Sequence, residues 1–440
     1  MNEQRPPNPG TGPALLTGEE RRALLERPRP RLLPIAPNAP VRGKSLPLAL
    51  DVREIDRRWQ PTYAVWEVTL KCDLACRHCG SRAGHARPDE LDTAEALDLV
   101  KQLAELGVQE VTLIGGEAYL RPDWIEIVRS IVQHGMACTL TTGGRGVTAD
   151  LATRAKLAGV GSVSVSVDGL EQVHDRLRGV SGSFESAIAA LRHFREAGVR
   201  VACNTQINRL SAVDLPGLLE LIAAHGCHSW QIQITVPMGR AADEPDVLLQ
   251  PYDLLTVFPV IAKLAERAKE LGVRIWPGNN IGYFGPYETL LKGTLPRGHM
   301  ASCGAGRSTL GIEADGSIKG CPSLPSETWI GGNVRDTPLR DIFERAPALR
   351  YTRDRNVPRD LWGFCQSCYY AQVCRAGCTW TSFVLFGKAG NNPYCHHRAL
   401  EFRRAGKRER VLLSKNPEGV PFDHGHFELI VEDDPANEET

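Results

Sequence analysis

The chain has 440 residues, with 52 basic and 52 acidic side chains, 42% hydrophobic residues and 24% charged ones. That length can build two or three domains with a substantial core, and zero formal net charge gives no reason to expect nucleic acid or an anionic membrane as partner. No apolar run approaches the roughly 20 residues of a spanning helix and the N-terminus lacks an apolar signal-type core, so a cytoplasmic protein is expected.

Ten of the first fifty residues are proline. Such a stretch buries too little apolar surface to offset the entropy of ordering it, so residues 1–58 read as a flexible arm, with one short helix around Gly18–Glu26. Short β-branched runs then alternate with amphipathic helical stretches through residues 59–275. The strands are expected at Val65–Leu70, Val111–Ile114, Cys138–Thr141, Ser162–Val167, Arg200–Ile207 and Trp230–Val236. The helices are expected at Ala94–Leu106, Pro122–His134, Asp150–Leu157, Ser183–Ala197, Leu215–His225 and Tyr252–Leu271, with Pro122 in a first turn and Gly107, Gly135, Gly198, Gly226 and Gly272 as left-handed stops.

Six strand–helix units in succession imply a parallel sheet, since each crossover needs a helix. Six units are too few for an eight-stranded barrel. They suit an α/β fold with a partial (β/α)6 barrel whose site lies at the C-terminal ends of the strands, a doubly wound sheet being the other topology the pattern permits. Residues 276–302 read as a bridging segment and 303–398 as a small cysteine-rich domain held by something other than a large core. Residues 399–440 form an extension whose acidic end, from Glu428 to Thr440, is expected to fray.

Thirteen cysteines, an odd number, are unevenly spread, which in a reducing compartment points to metal binding or redox chemistry rather than disulfides. Three of them, Cys72, Cys76 and Cys79, fall within eight residues directly after the first strand. A cubane iron–sulfur cluster takes four soft ligands, so three thiolates would leave one iron open to a small molecule. A zinc loop is the competing use of such spacing.

Cys-x3-Cys-x2-Cys after a first strand resembles the radical S-adenosylmethionine (SAM) superfamily. The resemblance implies that a 4Fe–4S cluster on these cysteines binds SAM and reductively cleaves it to a 5′-deoxyadenosyl radical. Gly115-Gly116-Glu117 at the end of the second strand is similar to the family's GGE motif, which receives the SAM amino group; Ala118 stands where many relatives have proline. Ser166-Val167-Asp168-Gly169 and the downstream Arg178 resemble its S-x-D-G segment, implying that Ser166 and Arg178 contact the ribose and carboxylate. His78 occupies the slot that often covers the adenine.

The later cysteines run Cys303, Cys321 five positions after Gly316, Cys365-x2-Cys368-x5-Cys374-x3-Cys378, and Cys395. Taken alone, paired C-x2-C motifs suit zinc ribbons equally well. Together they resemble the SPASM domain of radical SAM maturases, which implies two auxiliary iron–sulfur clusters. By that resemblance Cys365, Cys368, Cys374 and Cys395 hold the outer cluster, and Cys303, Cys321 and Cys378 the inner one. Residues 304–320 contain no further cysteine, so the inner set has no fourth thiolate. Cys138, Cys203 and Cys227 read as small buried side chains.

The resemblance implies an oxidoreductase that modifies a ribosomally made peptide or small protein, by crosslinking or oxidation, with a flavodoxin or ferredoxin as electron donor. The first 58 residues are too rich in proline and too poor in core residues for a peptide-recognition domain, so a separate protein or the barrel itself would bind the precursor. Haem-type tetrapyrrole modification and a non-catalytic iron–sulfur or zinc scaffold are the alternatives. Gln231, Gln233 and the run Trp276–Glu288 are candidate substrate-channel residues; no general base is assigned, and Tyr283, Tyr287 and Glu288 are candidates by location alone. Pro322 stands after Cys321, where sulfatase-maturing relatives carry Asp.

Overall fold

A computed structural model describes residues 59–281, 284–292 and 303–435. The arm, its helix at Gly18–Glu26 and Tyr283 lie outside these residues.

The six expected strands are present within a few residues of their sequence positions: β1 Tyr63–Glu67, β2 Glu110–Ile114, β3 Ala137–Thr142, β4 Val160–Ser166, β5 Arg200–Ile207 and β6 Ser229–Ile234. Each pairs in parallel with the next. Along β4 the sequence VGSVSVS alternates, so Val163 and Val165 face the surrounding helices, fully buried, while Ser162, Ser164 and Ser166 point the other way. Leu99, Leu103, Ile127, Val128 and Ile131 from the first two crossover helices join this outer core, each such side chain contributing about 1.5–3 kcal/mol on burial. Many inward positions carry Tyr, Thr, Asn and Gln, and together with Val65 and Ile114 they line an open lumen.

The sheet is larger than six strands. β7 (Arg274–Pro277) adds parallel to β6, and β8 (Thr309–Ile312) adds parallel to β1. β9 (Ser317–Lys319) and β10 (Ile330–Asn333) continue antiparallel, giving a ten-stranded sheet in the order β10-β9-β8-β1-β2-β3-β4-β5-β6-β7. The start of the cysteine-rich region is therefore joined to the barrel sheet and is not a separate body. β7 escaped notice because it is four residues long, half exposed and ends in proline.

Buried charges lock this junction. Lys319 Nζ lies 2.6 Å from Glu313 Oε1, and Arg87 lies 2.9 Å from Glu313 and 3.3 Å from Glu67 on β1. Burial holds the Lys319 ammonium below its ordinary range and pushes the Glu67 carboxyl up to about 8.

The six expected helices agree with expectation to within two residues, a further helix, Glu171–Arg178, follows β4, and all five expected glycine stops take positive φ. Pro122 lies outside its helix, which starts at Trp124 after an Arg121–Asp123 ion pair of 2.7 Å. The stretch Pro245–Glu270 is long and apolar enough, by length and composition, to cross a membrane; its Leu254, Phe258 and Ile261 are buried in the protein core. The acidic end is ordered through Asp433: β12 (His426–Asp433) pairs antiparallel with β11 (Lys407–Lys415). Lys407 and Arg408 meet Asp433 and Glu432 across the pair, which removes the repulsion that the acidic run suggests.

Candidate functional site

Three crossover units clamp the loop after β1. From the second, the Gly116 and Glu117 amides donate to Thr69 and Lys71 carbonyls at 2.9 and 2.8 Å. From the fourth, the carbonyls of Arg178 and Leu177 accept from Ala75 and Arg77. From the sixth, the Arg240 amide donates to the Cys79 carbonyl at 3.0 Å and its Nε to the Cys76 carbonyl at 2.7 Å. The C-terminal extension braces the same loop, with Arg82 Nε 2.7 Å from Asp423.

These contacts explain two glycines. A Cβ on Gly116 would land on the Lys71 carbonyl oxygen, and one on Gly239 would land on the Cys79 and Gly80 carbonyls. Gly116 is thus small because the cysteine loop passes against it, not because a ligand does.

Glu117 is buried, and its carboxylate accepts from Thr142 Oγ1 at 2.5 Å and from the Gly143 amide at 2.6 Å. Burial outweighs those bonds and raises it to about 7. One oxygen of Glu117, one of Asp73 and the Cys72 sulfur lie within 4.8 Å of one another. Burial pushes the Cys72 thiol up to about 12, with the Glu117 charge and the Cys76 and Cys79 thiols adding to it.

Asp168, fully buried, is the hub beneath the loop. Its Oδ2 lies 2.7 Å from Arg178 Nη2 and 3.0 Å from His78 Nε2, and Oδ1 accepts from the Gln206 amide. The Arg178 charge, followed by His78, holds the carboxyl far below its usual range against the pull of burial. Arg178 Nη1 also reaches Cys76 Sγ at 3.6 Å. His78 is tucked onto Asp168, its side chain only 7% exposed. Ser166 and Ser164 share the amide of Asn204 on β5.

Two groups of thiols converge in the C-terminal region. Burial pushes Cys321 up to about 12, and the next influences on it include the neighbouring Cys303 and Cys378 thiols. Burial and the thiols of Cys395, Cys365 and Cys368 raise Cys374 well above its ordinary value. Cys303, Cys321 and Cys378 line a cavity of about 350 Å³ at the mouth of the barrel. Its other walls include Tyr63, Thr112, Thr141, Asn204, Gln231, Gln233, Asn279 and Asn280. Among the described residues its lining carries no lysine, arginine, histidine or carboxylate.

The sequence profile of the radical SAM superfamily matches residues 66–209, and that of an iron–sulfur cluster-binding domain, SPASM, matches 303–369. An AdoMet-dependent heme synthase of Methanosarcina barkeri is 30% identical over 359 residues, covering 77% of this chain and 97% of the relative. The chain belongs to the radical SAM superfamily. A mycofactocin maturase, MftC, of Mycobacterium tuberculosis is also 30% identical, over 76% of this chain and 83% of that protein. The crystal structure of Streptococcus suis SuiB bound to S-adenosylmethionine shares the fold, with TM-score 0.60 at 15% identity over 76% of each chain.

A radical SAM enzyme with a SPASM domain implies iron–sulfur clusters and SAM binding. The donor set fits. Each group of converging thiols would repel itself once ionised, and a cationic metal centre offsets that. At the rim of the first group Asp73 Oδ1 is buried without a hydrogen-bond partner, an acceptor suited to an ammonium beside Glu117.

The remaining candidates divide. Gln231, Gln233, Asn279 and Asn280 line the cavity. Trp276 lines a neighbouring opening, which Gln231 also borders, and is stacked on Arg274 at 3.7 Å. Tyr287 and Glu288 line a crevice with His396 and Phe258 that contains none of the cysteines, so neither is placed to act as a base in the cavity. Cys138, Cys203 and Cys227 are buried in the outer core as expected. Asp168, Asn204, Arg240 and Tyr63 were missed as site residues. Asp168 carried the one available signal, a carboxylate ahead of glycine and ten residues before an arginine.

Proposed function

We propose that this radical SAM/SPASM enzyme oxidises or crosslinks a side chain of a ribosomally made peptide or small protein. The observation that carries the reading is the cavity between the barrel and Cys303, Cys321 and Cys378, in which amides and hydroxyls able to match a peptide backbone alternate with the apolar walls Val65, Ile114, Leu324 and Trp380. The 30% identity to a mycofactocin maturase supports it. In this reading Cys72, Cys76 and Cys79 hold the SAM-binding 4Fe–4S cluster. Cys303, Cys321 and Cys378 hold an inner auxiliary cluster, and Cys365, Cys368, Cys374 and Cys395 an outer one. When bound, the first cluster and SAM would supply one-electron reduction and hydrogen-atom abstraction from an unactivated carbon.

The protein's part is placement. Glu117 and Asp73 would receive the SAM ammonium, and Gly115 and Gly116 let the second crossover lie against the cysteine loop. Ser166, with Asn204, would receive the ribose. Arg178 would set the field at Cys76 and meet the SAM carboxylate, while His78 and Asp168 fix its position. Electrons would come from a flavodoxin or ferredoxin, and a separate protein would present the peptide.

The identity to a heme synthase over 97% of that protein favours a tetrapyrrole as the second reading. Against it, the cavity lining among the described residues holds no cation for carboxylate side chains. The test is anaerobic reconstitution with iron and sulfide, reduction with SAM, and assay of 5′-deoxyadenosine alone, with short peptides and with a tetracarboxylate porphyrin. Peptide-dependent stimulation with a mass change on the peptide supports the proposal. Stimulation by the porphyrin alone transfers the assignment to tetrapyrroles, and no deoxyadenosine from iron-replete protein overturns both.

A further inference from the structure

Arg398 is among the largest fully buried side chains of the protein. It stands three residues after Cys395, in the first turn of the helix His396–Arg404, where an arginine would ordinarily reach solvent. Here Glu409 and two asparagines hold it. Nε and Nη2 donate to the two carboxylate oxygens of Glu409 at 2.6 and 2.7 Å. Nη1 donates to Asn391 Oδ1 at 2.5 Å and to the Asn392 carbonyl at 3.3 Å. The central carbon of the guanidinium lies 5.1 Å from the centre of the Phe364 ring, next in sequence to Cys365.

Glu409 belongs to β11, and β11 is tied to the barrel. The Val411 amide donates to Gln250 Oε1 at 2.8 Å, and Gln250 Nε2 donates to the Val411 carbonyl at 3.1 Å. The C-terminal hairpin thus fixes a cation beside the thiols of Cys365 and Cys395. The Asn392 amide donates to Cys365 Sγ at 3.4 Å. Cys395 is the N-cap residue of the helix, so the positive end of the helix adjoins the same group. Asn392 Nδ2 is buried without a hydrogen-bond partner, a donor suited to an anionic centre at these thiols. Burial raises the Cys365 thiol; Arg398 is the foremost influence opposing that rise, while Glu409 adds least to it. A buried ion pair contributes little to stability compared with apolar side chains of similar size, so packing alone does not call for Arg398 and Glu409. Both lie beyond residues 303–369, the segment that the SPASM profile matches.

We propose that Arg398, positioned by Glu409 of the C-terminal hairpin, raises the reduction potential of the outer cluster held by Cys365, Cys368, Cys374 and Cys395. The inference rests on reading those four thiols as one iron–sulfur site. Reduction adds one electron and no proton there, since a guanidinium keeps its proton throughout. The nearby cation and the N–H donor toward sulfur stabilise the added negative charge and so favour the reduced state. Glu409 opposes that field more weakly. Removing one partner or the other therefore moves the potential in opposite directions. Through Glu409 the C-terminal hairpin acts on the electron chemistry of the site as well as bracing the first cysteine loop.

The test is a redox titration of the reconstituted holoenzyme followed by EPR, the outer signal being the one lost in Cys374→Ala. Arg398→Gln is expected to lower the equilibrium constant for its reduction at least tenfold, about 59 mV for one electron. Arg398→Lys, which keeps the charge, restores most of that loss. Glu409→Gln shifts the potential upward, with Arg398 still held by Asn391 and the Asn392 carbonyl. An unchanged potential in Arg398→Gln overturns the proposal. So does a downward shift in Glu409→Gln, because a merely structural role would loosen the site in both variants alike. If Arg398→Gln loses the outer iron, Glu409→Gln decides by its sign: upward supports the proposal, and an unchanged or lower potential overturns it. If Cys374→Ala loses neither iron nor a signal, the cluster assignment fails and the tuning with it, and the iron content tells that failure from the others.

Discussion

Asp168 and Arg178 form a fully enclosed ion pair of 2.7 Å directly beneath the cysteine loop, and the same guanidinium reaches Cys76 Sγ at 3.6 Å. The pair sets the position of one loop thiol from a strand end and a helix end ten residues apart. Neither partner tolerates loss of the other, because a buried charge without its counterion costs more than the pair contributes. Asp168→Asn is expected to destabilise the protein by about 3–5 kcal/mol and to lower the iron retained after reconstitution. Urea denaturation and iron analysis measure the two effects separately.

His174 gives a pH dependence of definite sign. Burial, with the Arg178 charge next, depresses it to about 4, and its Nδ1 accepts from the Asp168 amide at 3.2 Å. The folded state therefore keeps it neutral where the unfolded chain protonates it. Its contribution is fully present above about pH 6.5, the ordinary histidine value. It falls by about 1.4 kcal/mol per unit as the pH drops from there toward 4. Substituting His174→Gln should remove that slope; denaturation curves for both proteins at pH 7 and pH 5 give the comparison, and equal slopes would contradict the assignment.

Gly239→Ala is expected to disturb the first cluster site without touching a cysteine. Gly239 has φ of 58° and no room for a Cβ against the Cys79 and Gly80 carbonyls. The loop must move away, so 5′-deoxyadenosine formation should fall at least tenfold while iron at the C-terminal sites persists.

Cysteine substitutions separate the sites. Cys76→Ala should abolish SAM cleavage and leave the C-terminal iron in place, and unchanged cleavage would refute the assignment of Cys72, Cys76 and Cys79. Cys374→Ala should remove the iron of one cluster and stop product formation while permitting some unproductive SAM cleavage. Mössbauer spectra and iron counts distinguish these outcomes.

The junction between barrel and cysteine region rests on Lys319 and Glu313, 2.6 Å apart and both buried. Lys319→Met should cost about 3 kcal/mol, and adding Glu313→Gln should recover part of it, because it neutralises a buried charge left with Arg87 as its partner. A double variant no more stable than the single one would show that the pair is not the main determinant.

Much of the first site was legible because it is local. Cys72, Cys76 and Cys79 share one loop, so their spacing alone groups them. Glu117 could be read because two glycines mark a close passage, though the close neighbour proved to be the Thr69–Cys72 backbone. Arg240 gave no signal, since its contact with the Cys76 carbonyl spans 164 residues. Tyr287 and Glu288 were misplaced because proximity to the bridging segment does not fix which side of it a side chain takes.

By itself the sequence determined the family, the six core strands and the cysteine groups, all of which rest on short-range spacing and period-two alternation of side chains. The tertiary structure decided what no spacing encodes: that β7 to β10 extend the sheet, that Cys303, Cys321 and Cys378 open into the barrel, and that Tyr63 connects to Glu110 through two threonines. Those relationships depend on strand register and on the closing of the sheet. Both come from packing summed over the whole barrel and not from any one stretch of chain.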